Sequence, residues 1–323
     1  MRASTRWIRS LLPCVSFLLL APGCGGGGET TPDDRNPTGV GRLEVTVEWP
    51  GRVRLIPAAA NAIQLNLSRD AQTVTTQTLA RPAGGGASTA AMENLGVGGY
   101  LLAASAHPNA DGTGTAQAGG AVNVTVEDGQ TTKVTLTLAS TIDRVEISPA
   151  VTALPVGTTV GLTATARNAL GEVVLTWPGK LQWSSADTGY ATVDTNGVVT
   201  GVKPTGKTPG TLSLSVTETE SGKSASLSLA VTSNTSVTVS PSPTTLTVGE
   251  TRTFTATVSN APVTGVTWSL AEGATGGTVS AGGVYTAATR GTYHVVATSV
   301  YDNGKEASAT ATVQAGGLDI TIQ

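Results

Sequence analysis

"VEISPAVTALPVGTTVGLTATA", residues 145–166, returns 92 residues later as "VTVSPSPTTLTVGETRTFTATV", residues 237–258. Three landmarks keep this spacing: "VEISP" with "VTVSP", "LPVG" with "LTVG", and "LTATA" with "FTATV". The correspondence then continues with a drifting offset. Trp183-Ser184 matches Trp268-Ser269 at 85, "GVVT" (197–200) matches "GVYT" (283–286) at 86, and the last strands end at Val231 and Val313, at 82. A fixed order with a variable offset means the same strands joined by loops of different length. The first copy carries the longer loops, chiefly around residues 167–180.

The same period runs on both sides of the repeat. "LEVTVEW" puts Leu43, Val45, Val47 and Trp49 on one face, and "KVTLTL" puts Val134, Leu136 and Leu138 on one face. Successive side chains of a strand point to opposite faces, so this alternation predicts half-buried antiparallel strands. Composition agrees. Aromatic residues are 4% of the 323, charged residues 13%, and there are 40 glycines. Such a chain favours strands and turns over helices. Its only cysteines, Cys14 and Cys24, lie near the N-terminus, so no disulfide or thiolate metal site is expected in the folded part. The net charge of −3 includes Arg2, Arg6 and Arg9, and an acidic surface argues against nucleic acid.

A repeat of about 90 residues with many short strands and one Trp per unit fits an immunoglobulin-like sandwich. The segment running from "VEISP" through "LPVGTTVGLTATARNALGEVV" to "LQWSSADTGYATVDTNGVVTGV" resembles the bacterial Ig-like domain of group 2. Residues 233–315 are similar. "GTYHVVATS" there resembles the Tyr-x-Cys strand of antibody domains, which implies Tyr293 at a tyrosine corner and Val295 in place of the cysteine. Trp183 and Trp268 are expected as core markers, one per copy. Residues 42–139 resemble the transthyretin-like or carboxypeptidase-regulatory-like sandwich in "LGVGGYLLAASA" (95–106); a third Ig-like sandwich is the alternative.

The N-terminus reads as an export signal. Three arginines precede an apolar run, "LLPCVSFLLL" (11–20), too short to span a bilayer. "LAPGC" (20–24) resembles the lipobox of bacterial lipoproteins, which implies a lipid on Cys24; a plain secreted protein is the alternative. Gly25, in place of Asp after the cysteine, points to the outer membrane. Residues 25–41, rich in Gly, Pro, Thr and Asp, read as a flexible tether.

One motif pulls the other way. "GVKPTGKT" (201–208) fits the P-loop pattern through Gly201, Gly206, Lys207 and Thr208. A phosphate cradle needs a helix directly after the glycines, whose N-terminus supplies donors and dipole. Here Pro209-Gly210 follows, then "TLSLSV" with Leu212, Leu214 and Val216 alternating. That predicts a strand, and nucleotide binding is not expected. Catalysis finds no support either: His107 before Pro108 reads as a loop residue, His294 as an outward strand residue, and no nucleophile elbow occurs. "NADGTG" (109–114) lacks the spaced carboxylates of a calcium loop, so no metal is expected. Trp177, in the longer loop "LTWPGK", is the candidate ligand contact, for stacking on a sugar or packing on a protein.

The expectation is thus an all-β chain of tandem Ig-like β-sandwiches behind a lipoprotein signal and tether. Its parts are 1–23 signal, 24–41 lipidated Cys24 and linker, 42–139, 140–232 and 233–315 sandwiches, and 316–323 tail. "LDITIQ" (318–323) would add a strand to its own sheet or pair with another chain. The expected function is non-enzymatic surface display or adhesion, without cofactor, toward surface proteins, matrix or glycans. A carbohydrate-binding accessory lipoprotein is the alternative.

Overall fold

A computed structural model of the chain describes residues 39–49, 57–83, 86–177 and 179–316. The expected export signal, Cys24, nearly all of the expected tether and the "LDITIQ" tail lie outside the described residues. Within them the chain is built from strands, with a single 3-10 turn at Gly273–Gly276.

Module one uses β1 (Val40–Trp49), β2 (Ala62–Arg69), β3 (Gln72–Ala80), β4 (Gly86–Gly96), β5 (Gly98–His107), β6 (Ala118–Val126), β7 (Thr131–Val134) and β8 (Ala139–Ser140). They form two sheets, β4-β1-β7 and β3-β2-β5-β6-β8. Leu43, Val45 and Trp49 of β1 face Ile63, Leu65 and Leu67 of β2 and Leu102 of β5 in one buried core. β1 starts at Val40, two residues before the expected boundary, because Asp128 accepts the Val40 N–H at 3.1 Å and fixes the chain there. "KVTLTL" is not one strand: its ladder stops at Val134, and the chain crosses to the other sheet while Leu136 and Leu138 stay on the core. The crossing brings the Thr137 carbonyl against Gly120, where a Cβ would clash.

Modules two and three share one topology. Module two has β9 (Ile142–Ser148), β10 (Ala153–Pro155), β11 (Thr159–Gly161), β12 (Thr163–Asn168), β13 (Leu181–Ser185), β14 (Ala191–Val193), β15 (Val198–Gly201), β16 (Leu212–Glu218) and β17 (Ser224–Thr232). Module three has β18 (Ser236–Ser240), β19 (Thr244–Thr247), β20 (Thr251–Thr253), β21 (Thr255–Ser259), β22 (Val266–Leu270), β23 (Gly277–Val279), β24 (Val284–Ala287), β25 (Gly291–Ser299) and β26 (Glu306–Gln314). Sheet β10-β17-β16-β13 corresponds to β19-β26-β25-β22, β11-β15-β14 to β20-β24-β23, and β9-β12 to β18-β21.

One expectation needs correction. The strands are not all antiparallel: β1 with β7, β10 with β17, and β19 with β26 run parallel. In the repeat the cause is the proline of "VEISP" and "VTVSP". β9 ends at Ser148 and β18 at Ser240, each directly before a proline, which has no N–H for the ladder. The chain leaves the first sheet there and joins the far edge of the other, alongside the last strand.

The cores differ in composition but not in place. Leu162, Val199, Leu212 and Leu214 of module two are buried where module three buries Phe254, Tyr285, Tyr293 and Val295. Phe254 and Tyr285 meet edge to face at 6.4 Å, and the Tyr285 hydroxyl donates to the Gly276 carbonyl at 2.6 Å. Burial raises the Tyr285 pKa. The tryptophans sit at the rim of each core. Gly197 has φ +81° and touches the Trp183 ring; Gly283 has φ +80° and touches the Trp268 ring. Each glycine carbonyl accepts the N–H of the facing core residue, Leu162 at 2.9 Å and Phe254 at 2.8 Å. A Cβ on either glycine would clash with that residue's own carbonyl and stand 3.0 Å from the indole.

Both the positive φ and the contact exclude other side chains. Gly197→Ala and Gly283→Ala are expected to destabilise their own modules by roughly 2 kcal/mol or more. Gly222→Ala, at φ +73° with open space around it, meets only the backbone strain of the left-handed region, about 1–2 kcal/mol, and should cost less than either. Urea denaturation of the three variants checks the ordering.

Candidate functional site

The P-loop-like segment lies at the junction of modules two and three. Gly201 is the last residue of β15, and its carbonyl accepts the Gly157 N–H at 2.8 Å, as Ala287 accepts Gly249 in module three. Thr205 is buried; its hydroxyl donates to the Gly210 carbonyl at 2.6 Å, and its N–H donates to the Val231 carbonyl at 2.9 Å. Strand β16 then begins at Leu212, so no helix follows Lys207. The backbone N–H groups of Lys207 and Thr208 point at Asn303 of module three. Its Oδ1 accepts both, at 2.6 and 3.3 Å, and its Nδ2 donates to the Thr208 carbonyl at 3.0 Å. Lys207 Nζ pairs with Glu306 at 2.8 Å. Both amides that face a phosphate in a true cradle are thus taken up by a side-chain amide.

Asn303 sits at the tip of the β25–β26 hairpin. A second bond secures the tip: Ser233, in the linker between the modules, donates to the buried Asp302 carboxylate at 2.6 Å. The equivalent tip of module two, between β16 and β17, reaches back to module one. There Glu220 accepts the Ala58 N–H at 3.1 Å and pairs with Lys180 at 3.2 Å. The buried Gln117 of module one also donates to the Leu175 carbonyl at 3.0 Å. One device therefore joins both pairs of modules: a hairpin tip offers a side-chain oxygen to a backbone N–H of the module before it. In "RLIPAAANAIQL" (54–65), the turn from Pro57 to Ala60 is the surface that receives it, and Arg81 holds that turn through the carbonyls of Ala58 and Ala60.

Trp177 is about half exposed, at 52%. It shares an open hollow of about 380 Å³ with Trp183, Leu162, Thr176, Thr195 and Asn196. Trp183 is therefore half-buried between core and hollow, which an expectation of a pure core marker misses. The sequence signal was the six-residue spacing of the two tryptophans across a Pro-Gly turn. Tyr293 is buried, and its hydroxyl donates to the Arg290 carbonyl at 3.3 Å, the upstream backbone bond of a tyrosine corner.

The histidines differ. His107 is not a solvated loop residue: it ends β5, with Nδ1 donating to the Gly114 carbonyl at 2.9 Å, which leaves Nε2 to accept the Ser105 hydroxyl at 2.8 Å. The two lie on one strand, two residues apart. His294 is partly exposed and bonds Glu272 through Nδ1; its backbone N–H donates to the same carboxylate at 2.9 Å. The "NADGTG" segment is a turn in which Asp111 accepts the N–H and hydroxyl of Thr113, and these bonds lower its pKa. Among the described residues no group of three or more His, Cys, Asp or Glu is placed to hold a metal ion.

With this geometry in place, comparison with known proteins locates one module. The family model for the bacterial Ig-like domain (group 2) matches residues 141–228. Module two is a bacterial Ig-like domain. No curated protein matches the chain. Among solved structures, surface layer protein SbsC (domains 1–6) is 13% identical over 86% of this chain and 55% of its own, with a TM-score of 0.23. Drosophila OTK, extracellular domains 3–5, is 11% identical over 85% and 92%, with a TM-score of 0.27. The C-terminal fragment of intimin, solved with the intimin-binding domain of its translocated receptor, is 16% identical over 56% and 55%, with a TM-score of 0.24. The chain spans about half the length of the surface-layer structure. Superpositions this loose transfer neither partner nor activity from these proteins to the Ig-like domain or its neighbours.

The His294 contact gives a test by pH. The side-chain bond from His294, then the backbone bond, lower the Glu272 pKa below its usual 4.5. A depressed carboxylate stabilises the fold above its unfolded pKa, and that contribution is lost as pH falls through the folded value. Module three should therefore lose stability as pH drops below about 4.5. Glu272→Gln should flatten that part of the profile, read from thermal melts between neutral and acid pH.

Proposed function

We propose that this chain is a non-enzymatic bacterial lipoprotein, exported and anchored through Cys24, that displays three β-sandwich modules at the cell surface for adhesion. The observation that carries the reading is the repeated joint: each later module hooks a hairpin tip onto the one before it through side-chain-to-backbone bonds. Joints of this kind hold the modules in a set arrangement relative to one another, as a row that presents a binding surface away from the tether. The Ig-like match of module two and the lipobox-like "LAPGC" favour the same compartment. Its partners would be surface proteins, matrix or glycans, with no role for nucleotide or nucleic acid.

The lipid accounts for stable attachment, since each buried CH₂ contributes about 0.8 kcal/mol and several acyl chains hold the chain to a bilayer. Labelled palmitate should enter the native chain and not Cys24→Ser, which should appear in the soluble fraction. Protease added to intact cells should remove the modules. Modules protected from it, with palmitate still incorporated, would place the chain on the inner leaflet and end the display reading.

A further inference from the structure

The Trp177 hollow is built partly by core residues, Leu162 and Trp183, and partly by a loop that is longer in module two than in module three. The equivalent connection there, residues 260–265, is shorter and carries no aromatic residue. The longer loop of module two exposes Leu170 (85%), Val173, Leu175 and Trp177, a concentration of large apolar side chains seen at no other connection among the described residues. Such patches on a soluble surface mark contact sites.

The chemistry of the hollow narrows the ligand. Two indoles line it, giving flat apolar faces for stacking. Around them stand Thr176, Thr195 and Asn196, whose side chains make no hydrogen bond to another described residue, and the Trp177 and Trp183 N–H groups are equally unengaged. By contrast Trp49, in the core of module one, donates to Ser88 at 2.9 Å. None of the residues lining the hollow is charged. The nearby Asp194 carboxylate is taken up by the N–H groups of Asn196 and Val198 at 2.8 Å each. Lys180 is paired with Glu220. At about 380 Å³ the hollow lies at the small end of ligand sites, ~300–1,000 Å³, with an open side to solvent.

We infer that this hollow binds a neutral polysaccharide, with a pyranose ring stacked on Trp177 and its hydroxyl groups bonded to Thr176, Thr195, Asn196 and the indole N–H groups. Apolar faces flanked by uncharged donors and acceptors match the two faces and equatorial hydroxyls of a sugar. An acidic glycan or a phosphate would need a cation, and none lines the hollow. The open side suits an internal stretch of a long chain rather than an enclosed monomer. The inference deepens the display reading by naming the ligand class, and it rests on that reading for its setting only.

The test uses the full chain with three insoluble neutral probes, cellulose, chitin and mannan, and reads depletion from solution. Retention on at least one is expected, with binding at least tenfold weaker in Trp177→Ala and severalfold weaker in Asn196→Ala, while the melting temperature of Trp177→Ala stays at the native value. Soluble oligosaccharides of the retained polymer should change tryptophan fluorescence in the native chain only. No retention on any probe, or equal retention of Trp177→Ala, overturns the inference. So does sedimentation showing self-association that Trp177→Ala abolishes, which would assign the hollow to a second copy of the chain. Palmitate labelling and protease accessibility are unaffected by these outcomes, so a failed glycan site and a failed display reading remain distinct.

Discussion

Side-chain packing has to hold these sheets together, because neither cysteine of the chain falls within the sandwiches. That constraint explains the tight rule of alternation and the places where it is broken. Strands supply apolar side chains at every second position, and the two faces of each module close on one another. At Gly197 and Gly283 a glycine lets the backbone approach the tryptophan closely. The same site recurs in both copies although the core behind it is aliphatic in one and aromatic in the other. Conserving the backbone approach while exchanging Leu162 and Val199 for Phe254 and Tyr285 is what packing with a fixed frame and variable filling looks like.

The frame also sets how modules follow one another. In both repeats the hairpin between the last two strands projects from the sandwich, and its tip finds a backbone N–H of the preceding module. Glu220 and Asn303 differ in charge and in partner, yet both lie in the tip of the same hairpin of their modules and accept the same kind of bond. Pairing these N–H groups across a junction ties neighbouring modules to one arrangement. The letters that imitate a phosphate loop are the receiving half of such a junction. Among them Gly206 provides the positive φ, directly before the two amides that face Asn303.

Much of this was legible in the sequence. The strand order of modules two and three follows from landmarks whose offset drifts, since loop length changes spacing without changing order. "TLSLSV" after the glycines predicts β16 directly. Three things were not legible. Alternation says that a segment is a strand but not which sheet it joins, so the parallel edge pairs after Pro149 and Pro241 are absent from any reading by period alone. The joint was invisible because Lys207 and Asn303 lie 96 residues apart. Trp177 announces itself by its place in a long loop; that Trp183 shares its hollow depends on how the loop folds back across Gly179.

The central claim is that the Lys207 and Thr208 amides serve a junction between sandwiches and not a ligand. Amide hydrogen exchange of the full chain tests it most directly. Both amides should be protected, should lose protection in Asn303→Ala, and should not respond to magnesium and ATP. Fast exchange at both positions in the native chain, or protection that rises when nucleotide is added, would contradict the account.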